Sequence, residues 1–248
     1  MIAGGRISWR GAAWLAFFAA ILVAWAVMFL SVQMSGVDWL GRPVGMNMMP
    51  MTTFGALFPM WAIMMAAMML PTMVPTLRAY EDLMVSADGS RGGWFALLGG
   101  YLTVWIGVAA AISLLQTGLL RWGLIDDLGG ATARWFAAAL LIAGGLFQFT
   151  RAKEICHGVC HAPTIYFLGH WRPGGVGGFR MGLALGAFCA GCCWAFMVLG
   201  FVGGVMSFLW MGLATFFMVL EKLPEIGHRI LRPLGAALIA GGVAVALV

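Results

Sequence analysis

FRMGLALGAFCAGCCWAFMVLGF, residues 179–201, holds a single charged side chain, Arg180. Wound as an α-helix it reaches about 35 Å at a rise of about 1.5 Å per residue, enough to cross a hydrocarbon core of about 30 Å. Its middle, GAFCAGCCWAFM at 186–197, carries three of the chain's five cysteines. At about 100° per residue, Gly182, Gly186, Cys189, Cys193 and Met197 fall on one stripe, with Cys192 at its flank. Glycine lets a neighbouring membrane helix come close. The glycine stripe is therefore the expected buried face, and the thiols share it. Positions i and i+4 bring two sulfurs within reach of one metal ion, whereas the same helical geometry strains a disulfide.

Six further segments read the same way: 14–33, 54–77, 94–120, 135–150, 205–222 and 230–248. The 248 residues are 62% hydrophobic and only 9% charged, against about 25% charged in a soluble domain. So much apolar surface needs lipid as its solvent. The predicted fold is all-α, a polytopic transmembrane helical bundle of about seven spans, forming one integral membrane domain over residues 1–248. The first segment follows Arg6 and Arg10 with no small-residue cleavage site behind it, so it reads as a retained anchor. Alternating the gaps between segments sorts the 14 Lys and Arg residues unevenly. One side receives all but Arg42, Arg121 and Arg134. The positive-inside rule then places the N-terminus in the cytoplasm.

The net charge of +5 is scattered between apolar runs and forms no basic block, so nucleic acid is not an expected partner. P-loop, Rossmann glycine and G-x-S-x-G patterns are all missing, which argues against ATP-driven pumping within this chain. Five cysteines in a membrane chain do not make a secreted disulfide framework.

Sulfur recurs elsewhere. In PMWAIMMAAMMLPTM, residues 59–73, Met60, Met64 and Met68 form one i, i+4 row, and Met65, Met69 and Met73 the next. Pro71 and Pro75 free backbone carbonyls in the same span, which neighbouring groups must satisfy. The outer segment GMNMMPM, residues 45–51, adds Met46, Met48, Met49 and Met51. Thioether rows suit Cu(I), a soft ion that favours Cys and Met sulfur. In the sixth segment Ser207, Met211, Thr215, Met218 and Lys222 share a face, and Glu221 sits beside Lys222 as a paired charge near the inner surface. The inner loop FQFTRAKEICHGVCHAP, residues 147–163, supplies Cys156, His157, Cys160 and His161. Thiolate and imidazole both bind zinc, and thiolate also binds Cu(I). The C-x₃-C spacing is not the haem pattern C-x-x-C-H. Spacing leaves open whether loop and helix thiols form one site or two.

The order MWAIMMAAMMLP, C-x₃-C after FQFTRAK, WRPGG, F-C-A-G-C-C-W-A-F-M, GVMSFLWM and EK resembles an uncharacterised bacterial family, of unknown domain function, of predicted metal-binding integral membrane proteins. The resemblance covers roughly residues 55–245. It implies a polytopic membrane protein that binds a metal through its cysteines. Cys156, Cys160, Cys189, Cys192 and Cys193 match that family's cysteines, and Glu221 and Lys222 match its EK pair; the match does not extend to His157 and His161.

The expected function is soft-metal handling, with copper as the metal, by transport, buffering or delivery in a bacterial cytoplasmic (inner) membrane. The ion is expected at Met68, Met69, Cys189, Cys192, Cys193 and Met197, with Cys156, Cys160, His157 and His161 receiving or releasing it inside; Met64, Glu221 and Lys222 are further candidate site residues. Expected partners are the lipid bilayer and a copper enzyme, a copper chaperone or another membrane subunit. Two alternatives stand beside this reading. One is a membrane thiol or quinone-linked oxidoreductase cycling the transmembrane cysteines. The other is an accessory subunit of a larger membrane complex.

Overall fold

In hydrocarbon a spanning segment must satisfy its own backbone N–H and C=O groups, and the α-helix does so locally. The computed structural model describes residues 8–42, 44, 52–223 and 226–247, apart from the His228 side chain. Among these residues there are helices and no strand. In chain order they are α1 (Trp9–Met34), α2 (Phe54–Met84), α3 (Arg91–Arg121), α4 (Arg134–Phe147), α5 (Arg151–His161), α6 (Pro163–His170), α7 (Gly174–Gly203), α8 (Phe208–Glu221) and α9 (Gly227–Leu247). Ser8, Ser90, Thr150 and Ser207 cap α1, α3, α5 and α8, each accepting from a first-turn N–H. The methionine segment 45–51 lies outside the described residues.

Five helices are long and apolar enough to cross a membrane: α1, α2, α3, α7 and the Arg229–Leu247 part of α9. A sixth span results if α4 and α5 are counted as one, bent by 65°. The helix in the sixth expected segment, 205–222, is shorter than its apolar run. Gly204 takes φ +85° and Ser207 caps α8, so only 14 residues remain in that helix, below the roughly 20 a span needs. Large apolar side chains such as Leu22, Leu114, Phe216 and Leu247 cover the outside of the bundle, as acyl chains would favour.

The glycine stripe is buried. Along α7, a Cβ at Gly178 would strike the carbonyl oxygen of Gly93, and one at Gly182 that of Leu97. Gly100 of α3 meets Phe179 in the same way. Backbone touches backbone here, so α3 and α7 form the tightest pair in the bundle. A second close pair joins α4 and α9, with Gly145 and Gly235 at the crossing. In α2, Pro71 has no N–H for the Ala67 carbonyl, and Trp25 Nε1 of α1 donates to it instead at 3.0 Å. The helix runs on through its prolines because neighbours take up the freed groups.

The segment read as an inner loop is helical. Thr150 caps α5, which packs against α7. Lys153, His157 and Cys160 lie at i, i+4, i+7 and form its buried face, while Arg151, Glu154 and Ile155 face outward.

Candidate metal centre

α7 carries Cys189, Cys192 and Cys193 inward, 1%, 2% and 1% exposed. The docking of α5 adds Cys160, 8% exposed. The sulfurs of Cys160, Cys189 and Cys192 all lie within 4.8 Å of one another. Cys192 Sγ is 3.9 Å from Cys160 Sγ and 3.4 Å from Cys193 Sγ. Among the described residues this is the group of three potential ligands that comes together. All five cysteines are free thiols.

A polar collar surrounds Cys189. Lys222 Nζ, just past α8, donates to Cys189 Sγ at 3.0 Å and to Thr72 Oγ1 of α2 at 3.0 Å. The Tyr101 hydroxyl of α3 lies 3.1 Å from Cys189 Sγ and 3.1 Å from Thr72 Oγ1, and donates to Met69 O. The salt bridges among the described residues are Arg10–Glu81 and Lys153–Glu221. Lys222, 7% exposed, belongs to neither. Its ammonium sits in the interior with sulfur, not carboxylate, beside it.

A second polar set fastens α5. Lys153 Nζ donates to Glu221 Oε2 at 2.7 Å and to Cys192 O at 2.9 Å. Gln148 Nε2 donates to Glu221 Oε1 at 2.9 Å. His157 Nε2 lies 2.6 Å from Glu221 O. A buried ion pair adds little net stability over apolar packing, but removing one partner costs heavily. Its structural effect here is to hold α5, and with it Cys160, against α7.

The expected site residues thus separate. Cys160, Cys189 and Cys192 converge, with Cys193 adjacent. Cys156 is half-buried against Gly191 of α7, outside the group. His157 is turned to the Glu221 carbonyl, and His161 stacks on the His157 ring at 5.2 Å. Met64, Met68 and Met197 line a common cavity, and Met69 is buried beside Thr72 and Tyr101. Glu221 and Lys222 do not act as a pair. Consecutive residues leave a helix about 100° apart, so one reaches Lys153 and the other Cys189. The sequence reading gave no role to Tyr101, Thr72 or Gln148 and counted Lys153 as a topological charge. A hydroxyl or ammonium inside an apolar run was the available signal.

The donor set is soft. Buried sulfurs with no carboxylate among them suit Cu(I); counted with Cys193 the cluster offers four thiols, the number that a structural zinc site also takes. Residues 58–245 match the family model PpoB2, described as copper chaperone. No curated protein and no solved structure matches the chain.

Proposed function

The chain belongs to the PpoB2 copper-chaperone family, and we propose that it carries Cu(I) as cargo at Cys160, Cys189 and Cys192 inside the bilayer and delivers it to a copper enzyme. The observation that carries this reading is the convergence of those three buried sulfurs from two helices, within 4.8 Å of one another. Cu(I) bears one positive charge, and two or more thiolates around it leave an excess of negative charge. The Lys222 ammonium beside Cys189 offsets that excess. In low dielectric such compensation is worth far more than in water.

Delivery follows the same geometry. Cys160 lies one helical turn from half-buried Cys156 on α5. Cu(I) accepts low coordination numbers, so it moves by exchanging one sulfur for another. Cys156 is the thiol through which it leaves for an acceptor. We further propose a bacterial cytoplasmic membrane with this end of the bundle facing the cytoplasm; the Lys and Arg sorting over seven apolar segments supports it, with α8 then counted as a short crossing.

Copper stoichiometry tests the reading. Purified full-length protein is titrated with Cu(I) against a chromogenic chelator, beside Cys160→Ser, Cys189→Ser and Cys192→Ser. Tight uptake of one equivalent, lost in each variant, is the expected result. Equal uptake in all four removes the three thiols from the site. A free-thiol count on the same samples tests the oxidoreductase alternative, which requires thiols consumed as disulfide without stoichiometric copper.

A further inference from the structure

Two cavities lie beyond the thiol cluster, and methionine contributes to the walls of both. The first, of about 30 Å³, is lined by Met28 of α1, Met60 and Met64 of α2, Met206 of the α7–α8 turn and Met211 of α8. The second, of about 10 Å³, is lined in part by Met64, Met68, Met197 and Met211. Met64 and Met211 belong to both walls.

We infer that the larger cavity is a second Cu(I) site, built of thioethers, from which the ion passes through the smaller cavity to the thiols. This rests on the copper reading of the cluster. Methionine usually enters interiors as a flexible filler that closes gaps. Here methionines from four separate segments surround a gap that stays open. About 10–15 Å³ admits one water-sized body, so the cavity has room for one small ion. Among the described residues no charged side chain lines either cavity. A neutral thioether cage suits a monovalent soft cation and leaves a divalent one uncompensated.

The register leads to the cluster. On α2, Met60, Met64, Met68 and Thr72 succeed one another at about 6 Å per four residues. On α7, Met197, Cys193 and Cys189 do the same in the opposite sense. The two rows converge at Lys222, whose Nζ reaches both Thr72 Oγ1 and Cys189 Sγ. Thioether is a neutral and weaker ligand than thiolate, so each exchange toward the thiols runs downhill. The ion stays Cu(I) throughout, one sulfur leaving as the next binds.

The test uses full-length protein grown with selenomethionine, which marks thioether ligands apart from thiols. Two equivalents of Cu(I) are added, and X-ray absorption is measured at the copper edge. Selenium neighbours around the second equivalent are the expected result. Met60→Leu with Met206→Leu, a volume-conserving change confined to the larger cavity, must remove both the selenium shell and the second equivalent while the first is retained. A folding control is supplied by that retained first equivalent. Absence of a selenium shell, or a shell that survives the leucine changes, overturns the inference. A selenium shell that persists when Cys160, Cys189 and Cys192 no longer affect the first equivalent leaves the thioether site standing and overturns the thiol reading.

Discussion

Lys222 Nζ lies 3.0 Å from the sulfur of Cys189, with no carboxylate bridge to either side among the described residues. An ammonium held inside an apolar helical bundle is costly without a counter-charge. A copper–thiolate complex supplies one. The apo protein and the copper-loaded protein should therefore respond to Lys222 in opposite ways.

Replacing Lys222 by Met removes the charge and keeps an unbranched side chain of similar length. Cu(I) affinity is expected to fall by about 10- to 100-fold, the usual range for a residue that supports a metal ligand. Apo stability should be unchanged or higher, because a buried ammonium has gone. Chelator competition and thermal melting in the same detergent read the two quantities. Unchanged affinity with lower stability would make Lys222 a structural group only.

The Lys153–Glu221 bridge predicts a different pattern. Lys153→Met alone leaves the buried Glu221 carboxylate without its counter-charge, and should cost about 3–5 kcal/mol. Adding Glu221→Gln should recover much of that loss, since the amide needs no counter-charge. Melting of the single and double variants decides it. Equal destabilisation in both would show that the bridge does not hold α5 to α7.

Close packing of α3 on α7 sets the third expectation. A methyl at Gly182 meets the Leu97 carbonyl oxygen. Gly182→Ala should then cost at least the 1–3 kcal/mol or so typical of overpacking, and copper uptake should weaken with it. Gly107→Ala is the control, because that glycine of α3 is exposed with nothing near it. If both alanines melt alike, the two helices do not touch as described.

Tyr101→Phe removes a hydroxyl but no charge. The Tyr101 hydroxyl touches Cys189 Sγ, Thr72 Oγ1 and Met69 O. A stability loss of about 1–3 kcal/mol is expected for its orphaned partners, with a smaller drop in copper affinity than Lys222→Met gives. An effect on affinity larger than that of Lys222→Met would mean that the hydroxyl, not the ammonium, governs the site.

Much of this was legible in the sequence. Apolar runs of spanning length announced α1, α2, α3 and α7, and the glycine periodicity of residues 182–193 identified the face on which the thiols lie. Cys189, Cys192 and their helical spacing needed no coordinates. What was hidden depends on docking between elements. The face of α5 is only 11 residues long and polar, so its helical period is easily mistaken for a loop, and the partnership of Cys160 with α7 has no local signature. Glu221 and Lys222 invited a pairing because they adjoin, although adjacent helical residues point apart. The Ala67 carbonyl freed by Pro71 was foreseeable, but not that Trp25 would satisfy it.

The exit role proposed for Cys156 separates binding from delivery. Cys156→Ser should retain copper and slow its transfer to an acceptor thiol, whereas Cys160→Ser should lose the copper itself. Stopped-flow transfer to a chelator and the bound stoichiometry read the two steps. Loss of binding in Cys156→Ser, or transfer at the original rate, removes the exit role.

Cys160, Cys189 and Cys192 are proposed to close around one Cu(I) ion. Copper-edge X-ray absorption on the singly loaded full-length protein tests it most directly. A sulfur-only coordination sphere that changes when any one of the three becomes serine is the expected result. Nitrogen or oxygen ligands around the copper, or a spectrum that Cys160→Ser leaves untouched, would contradict it.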